Sequence, residues 1–379
     1  MVHRRNVQVA SASGTAGSAR GHWRIALGGL RIGLMSAFVA TLITPMDAAS
    51  QSSERGEPID SAQGWLRMDF EGDLTVVESA SGQGARFVQK GQPWQPQAGG
   101  MARAGAPLLG VPEIQFQGGD ASQRHARVVD DTGRAGNRVL EFVLRQANVP
   151  LRDRAGFKSR IQMNVYGNVG VGEVYQSVRL RLESGFADLG DLPDAFDWFT
   201  ISEWWNNAGW TNEPHPFRIS VHISKLRSGK SQPLNFAVAA TAKPPGGDKW
   251  RIKVWNAAAE GFAVPVGQWM RLEYYYRDGG RDDGRFAMAV TPDGGERRVL
   301  FDVTGYTRHP GARASDGLAH WNPIKLYTSD ALTQFVRSRG KEFTMHWDDL
   351  QILPCGADMP AGSSPCARAF GCKRPANPS

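Results

Sequence analysis

The sequence predicts an all-β protein, a sandwich or jelly roll of two packed antiparallel sheets. Three observations carry this. Many short runs alternate apolar and polar residues with a period of two, the signature of strands with one buried face. Turn residues separate the runs, as in Pro244-Pro-Gly-Gly247, Asp278-Gly-Gly280 and Pro292-Asp-Gly-Gly295. A helical period is almost absent, and no internal repeat is visible.

The elements follow in order. A first strand region spans 65–77. Residues 82–136 are rich in Gly, Gln, Pro and Ala, and read as long loops with short strands near 114–116 and 124–129. Strands are then expected at 139–145, 157–166, 175–183, 198–205, 217–225, 234–241, 250–256, 269–277, 285–291, 299–303, 324–328 and 343–353. The best helix candidate is 329–339. In 157–166, Phe157, Ile161, Met163 and Val165 share one face, opposite Lys158, Arg160, Gln162, Asn164 and Tyr166. In 175–182, Val178, Leu180 and Leu182 oppose Tyr175, Ser177, Arg179 and Arg181. Such a polar face suits a long anionic sugar chain, and is equally what a solvated outer strand carries.

The 379 residues are 41% hydrophobic and 21% charged, which excludes a disordered chain. The formal charge of +7 is concentrated at the N-terminus, where five arginines face Asp47 alone in residues 1–50. The rest is only mildly basic, so nucleic acid is not the implied partner. Residues 32–44 are apolar and uncharged, follow Arg31 and precede Ala48-Ala49-Ser50. This is the layout of a secretory signal peptide and is short for a membrane span. The expected organisation is a signal peptide at 1–50, a polar linker at 51–63, one domain at 64–354 and a Cys-containing tail at 355–379. After cleavage the protein would be secreted or periplasmic, monomeric and not inserted in a membrane. Cys355, Cys366 and Cys372 all lie in the tail, where export makes a disulfide plausible.

Several stretches resemble the concanavalin A-like jelly-roll polysaccharide lyases of the heparin-lyase and alginate-lyase type. They are Tyr175-Gln-Ser-Val-Arg-Leu-Arg-Leu182, Asp197-Trp-Phe-Thr-Ile-Ser-Glu-Trp-Trp-Asn206, Val264-Pro-Val-Gly-Gln-Trp-Met-Arg-Leu-Glu-Tyr274, Trp321-Asn-Pro-Ile-Lys-Leu-Tyr-Thr328 and Phe343-Thr-Met-His-Trp-Asp-Asp-Leu-Gln-Ile352. The resemblance covers about residues 65–353 and implies a concanavalin A-like β-jelly roll acting on a uronic-acid polymer. It places a catalytic Tyr at Tyr327. The family's Gln-x-His is absent, because that strand reads Ser202-Glu-Trp-Trp205.

The chemistry sets its own requirements. Cleavage beside a uronate by β-elimination needs a cation against the carboxylate, a base for the neighbouring proton and an acid for the leaving oxygen. Tyr327 is the expected proton-transfer residue, its pKa lowered by nearby Arg or Lys. Arg160 or Arg179 would hold the carboxylate, and His222 would replace the missing His. Lys158, Gln162, Arg181, Glu203, Trp205, Asn206 and Lys325 complete the expected substrate contacts. No cofactor is required. Glu71, Asp73 and Asp349, with Asp348, could hold a structural calcium, or form an ordinary acidic turn. A glycan-binding domain without catalysis, or a jelly-roll glycoside hydrolase, are the alternatives. The Glu-x-Asp-x-x-Glu pattern of jelly-roll glucanases is absent.

Overall fold

The computed structural model describes residues 66–94, 109–152, 154–168, 170–206, 214–244, 247, 249–250, 252–313, 317–355 and 365–371. The expected signal peptide and linker, and Cys372, lie outside the described residues. The strands are β1 Leu66–Met68, β2 Thr75–Glu78, β3 Gly84–Gln89, β4 Gln92–Pro93, β5 Glu113–Gln117, β6 Arg124–Asp130, β7 Arg138–Leu144, β8 Val149–Pro150, β9 Phe157–Tyr166 and β10 Glu173–Leu182. They continue with β11 Thr200–Asn206, β12 Phe217–Ser224, β13 Asn235–Ala242, β14 Ile252–Ala263, β15 Trp269–Arg277, β16 Arg285–Pro292, β17 Arg298–Thr304, β18 His320–Asn322, β19 Lys325–Ser329 and β20 Phe343–Pro354. Among the described residues the α-helices are short: α1 Ser184–Asp188, α2 Asp330–Arg337 and α3 Pro365–Phe370.

These strands build the expected two-sheet jelly roll. One sheet runs β17-β16-β15-β10-β20-β7-β6, with β1 on β20. The other runs β14-β13-β12-β11-β18-β9-β5-β3-β2, with β19 also between β11 and β9. Every pairing between these strands is antiparallel, and the first strand meets the last through Leu66 and Ile352. We call these the β10 sheet and the β9 sheet.

The inner faces meet in one apolar core. Trp204 of the β9 sheet packs against Tyr274 and Phe286 of the β10 sheet, each with ring centroids 4.9 Å away. Phe199, just before β11, lies 5.0 Å from Phe343 of β20 and 4.9 Å from Phe186 of α1. Trp204, Trp321 and Trp347 are all fully buried, so these three of the twelve Trp serve the core.

Several boundaries differ from the sequence reading. The first strand region divides into β1 and β2, with Phe70 at φ 59° between them. The 82–136 segment holds β3, β4, β5 and β6, because strand pairing supplies an order that its weak periodicity does not show. Trp250 precedes β14 and is not part of it. The α1 helix was not foreseen; a Cβ on Gly185 would stand 2.2 Å from the Glu342 carbonyl, so glycine lets it press against the start of β20. The α2 helix buries Leu332 and Val336 and ends near Gly340 at φ 73°.

The tail is stapled. Cys355 and Cys366 form a disulfide. This holds α3 on the outer face of the β10 sheet, where Phe370 stacks on Tyr275 at 6.1 Å and Arg297 and Arg285 donate to the Ala369 and Phe370 carbonyls at 2.8 Å. Among the described residues no helix is long and apolar enough to cross a membrane.

Phe199→Ala should remove a ring shared by both sheets and lower stability by roughly 3–5 kcal/mol. Urea unfolding followed by Trp fluorescence measures this; a loss under about 1 kcal/mol would show that Phe199 does not join the layers.

Candidate functional site

The outer face of the β9 sheet carries three rows of polar side chains across its strands. In the first, backbone pairing aligns His222 of β12 with Thr200 of β11, Thr200 with Tyr327 of β19, Tyr327 with Arg160 of β9, and Arg160 with Gln117 of β5. In the second, Ser220, Glu203 and Asn322 align, beside Lys325, Gln162 and Gln115. In the third, Thr241, Arg218, Trp205, His320 and Tyr166 align. Neighbouring strands lie about 4.8 Å apart, so His222 and Tyr327, two strands apart, bracket a gap of roughly 10 Å.

A β-bulge makes this face possible. Strict alternation along β11 would put Glu203 and Trp205 on the core side with Phe199 and Ile201. The register shifts between Thr200 and Ser202. Beyond it the parity is reversed: Trp204 enters the core, and Glu203 and Trp205 point outward. The spare Ser202 hydroxyl donates to the Asn322 and Pro323 carbonyls at 3.0 and 3.1 Å.

Glu203 is the electrostatic centre of the floor. It is 1% exposed and accepts from Lys325 Nζ, from Arg218 Nη1 at 3.2 Å and from the Ser220 hydroxyl at 3.0 Å. Burial pushes its carboxyl up, but Lys325 and Arg218 outweigh this and hold it well below the usual range. Burial pulls Lys325 down; Glu203 opposes that, and the Arg160 and Arg218 guanidiniums add to it. Three cations thus surround one carboxylate, and the floor is cationic.

Beside it lies a cluster of donors. Arg160 Nη2, Gln162 Nε2, Asn164 Nδ2 and the Tyr166 hydroxyl all converge on Gln115 Oε1, at 3.4, 3.0, 3.5 and 3.3 Å. One amide oxygen has lone pairs for two. Arg160 Nε is buried with no hydrogen-bond partner among the described residues, and so are the Gln162 and Gln117 amide oxygens. An incoming anion would meet donors already gathered.

The first row holds the groups that can move protons. His222 Nδ1 lies 3.2 Å from the Thr200 hydroxyl. Burial lowers His222 to about 4, with Glu203 pulling it back up, so the ring is neutral at pH 7. The tautomer that donates Nδ1–H to Thr200 leaves Nε2 as the acceptor. Tyr327 sits edge-on to Trp198 at 4.9 Å, with Lys325 Nζ 5.2 Å and Lys158 Nζ 5.9 Å from its ring centre. Here an expectation is corrected: burial raises Tyr327 to about 12, and Arg218 and Arg160 only partly offset it. Tyr327 is therefore a proton donor at rest, not a phenolate.

Other expected site residues are elsewhere. Arg179 and Arg181 belong to β10, in the opposite sheet. Arg179 pairs with Asp293 at 2.6 Å, and Arg181 with Asp131 at 2.9 Å and Glu183 at 2.7 Å. Their period-two pattern was right, but it faces the other side of the molecule. Asn206 turns inward and donates to Asp278 Oδ1 and the Gly317 carbonyl, both at 3.1 Å. Glu203 is a buried counter-ion and not a surface contact. Of the expected calcium ligands, Glu71 accepts the Arg138 amide at 3.2 Å, and among the described residues no group of three or more His, Cys, Asp or Glu is placed to hold a metal ion.

Residues not singled out complete the site. Gln115 had a signal, since Glu113, Gln115 and Gln117 alternate with Ile114 and Phe116. Thr200 and Asn322 had none, because their roles depend on the bulge and on β18 lying beside β11. Asn322 Nδ2 donates to Asn164 Oδ1 at 2.8 Å, and its Oδ1 accepts from Trp205 Nε1 and Lys325 Nζ at 3.3 Å.

No protein-family model and no curated protein sequence matches the chain. Solved structures that match include an endo-β-1,4-glucuronan lyase from the fungus Trichoderma reesei, at 10% identity over 61% of this chain and 87% of that one, TM-score 0.36. An alginate lyase from Aplysia kurodai matches at 11% over 64% and 90%, TM-score 0.38. The exoplasmic/lumenal domain of VIP36, bound to Ca²⁺ and Man3GlcNAc, matches at 10% over 65% and 83%, TM-score 0.34. Likeness at this level assigns neither a substrate nor a catalytic residue.

Removing one member of the buried pair strands the other. Glu203→Gln should cost about 3–5 kcal/mol, and Glu203→Leu combined with Lys325→Met should cost less than the single change. Urea unfolding of both proteins decides this; a single variant as stable as the parent would mean that Lys325 is not held as a buried cation.

Proposed function

We propose that this protein is a secreted, monomeric polysaccharide lyase that cleaves a uronic-acid-containing chain by β-elimination. One observation carries the reading. Donors crowd around Gln115 and Arg160 over a cationic floor, in the same row as a neutral imidazole and a protonated phenol. A uronate carboxylate satisfies the clustered donors and the charge together. The Cys355–Cys366 disulfide is in keeping with export.

The mechanism follows from the order of the row. Arg160, with Gln162 beside it, binds the carboxylate and makes the adjacent C5 proton more acidic by stabilising the enolate-like charge that forms. His222 Nε2 removes that proton. The electron pair forms the C4–C5 double bond, the C4–O bond breaks, and the Tyr327 hydroxyl protonates the departing oxygen. The phenolate formed lies near Arg218 and Arg160, which stabilise it. Returning the proton from His222 to Tyr327 through solvent restores the start.

Hydrolysis is less well served. It needs a protonated carboxylic acid in the cleft, and Glu203 is locked as an anion between Lys325 and Arg218. A binding module would have no use for the His222–Tyr327 arrangement.

Alginate, heparin, hyaluronan, glucuronan and pectin should be assayed for the ultraviolet absorbance of an unsaturated product. At least one should give it; new reducing ends without absorbance would indicate a hydrolase, and neither product a binding module. On a cleaved substrate, Tyr327→Phe should slow turnover by ~100-fold or more while leaving the fold intact.

The pH profile supplies a separate check. His222 must be neutral to accept a proton, so kcat/KM should rise as pH increases through about 4 and level off above it. An acid limb near the ordinary imidazole value of about 6.5 would exclude His222 in this environment as the base.

A further inference from the structure

At the end of the β9 sheet's outer face furthest from the proton-transfer row, two Trp rings and two cations form a cluster. Trp205 and Trp250 meet edge-to-face with centroids 5.3 Å apart. The Arg218 guanidinium lies 4.6 Å from the Trp250 ring centre and 5.4 Å from that of Trp205. Lys243 Nζ lies 5.2 Å from the Trp250 ring centre. Trp250 and Lys243 are both half-buried, so each keeps an open side.

Two members of the cluster are held in place. Arg218 is fixed by Glu203 and by Thr241, each at 3.2 Å. The Lys243 backbone is held at both ends: its amide donates to the Pro216 carbonyl at 3.0 Å, and its carbonyl accepts from His309 Nε2 at 2.9 Å. The Gly311 amide donates to His309 Nδ1 at 2.9 Å, which fixes the neutral tautomer of that ring. Among the described residues no carboxylate pairs with the Lys243 ammonium. An aromatic face beside a cation that no carboxylate of the described residues neutralises suits a ring with an apolar face and an acid group, as an acidic sugar has.

Position decides what this cluster would bind. Lys243 is hydrogen-bonded to Pro216, six residues from His222 along the chain and roughly 20 Å away at the usual strand rise. A single sugar at the proton-transfer row cannot reach that far. We propose that Trp250 and Lys243, backed by Trp205 and Arg218, form a second acidic-sugar subsite that holds another residue of the same chain, remote from the bond that breaks. This rests on the reading of the cleft as a binder of acidic polysaccharide. It adds that the protein selects chains in which acidic sugars recur, because two cationic positions must be filled at once.

The test is isothermal titration calorimetry of the full chain with hexasaccharides and disaccharides of alginate, glucuronan and hyaluronan. The wild type should bind at least one hexamer more tightly than its dimer. Trp250→Ala should weaken that hexamer by about tenfold and leave the dimer unchanged. Trp250→Phe, which keeps a ring, should recover most of the loss and guards against a folding artefact. Lys243→Gln should reduce the salt dependence of hexamer binding, and carboxyl-reduced hexamer should be insensitive to that substitution. Hexamer binding unchanged in Trp250→Ala, or dimer and hexamer weakened equally, would overturn the subsite while leaving the cleft's function standing. Failure of the wild type to bind any of these acidic oligosaccharides would overturn both.

Discussion

The site depends on a buried ion pair. Glu203 and Lys325 are fully enclosed in the sheet that bears them, on β11 and β19 respectively. A lone charge at either position would be strongly disfavoured by the loss of water. Together, with Arg218 and Ser220 completing the carboxylate's partners, they are tolerated, and they tie three strands at one point. Everything polar around them takes its position from that point: Asn322 orients Trp205 and Asn164, and Asn164 leads to the donors around Gln115.

The electrostatic consequence is an imbalance. A neutral network would place as many acceptors as donors, and as many anions as cations. Here one carboxylate is shared among Lys325, Arg218 and Arg160, and one amide oxygen among four donors. Burial is what keeps His222 neutral; Glu203 and Asp197 pull the other way, and Arg218 and Lys325 add to the effect of burial. Burial also keeps Tyr327 protonated, despite the cations nearby, because the phenolate would lose more hydration than they restore. The two proton-transfer groups thus take opposite roles through environment alone.

The two outer faces of the sandwich differ in the same terms. On the β10 sheet, Arg179, Arg181, Arg285 and Arg297 each have a carboxylate partner, and His346 lies between Glu141 and Glu183. Charge there is compensated locally, and α3 covers part of the surface. Around Glu203 on the β9 sheet, three cations share one carboxylate instead. A basic strand face is therefore informative only once its counter-ions are known.

The sequence by itself determined the fold class and the composition of each strand face. Alternation placed Lys158, Arg160, Gln162, Asn164 and Tyr166 on one face of β9, and Lys325 with Tyr327 on one face of β19, because the two-residue period of a strand is set by its backbone. It also made Cys355 and Cys366 available to close the tail. What it could not determine was which face meets which. Arg160 and Arg179 carry the same pattern and lie in different sheets, since strand order across a sheet follows non-local pairing. Nor could it show the bulge at Ser202, an insertion of one residue into the register that leaves composition unchanged but turns Glu203 and Trp205 outward. The pKa of Tyr327 was likewise decided by tertiary burial, which no count of neighbouring arginines in the chain reveals.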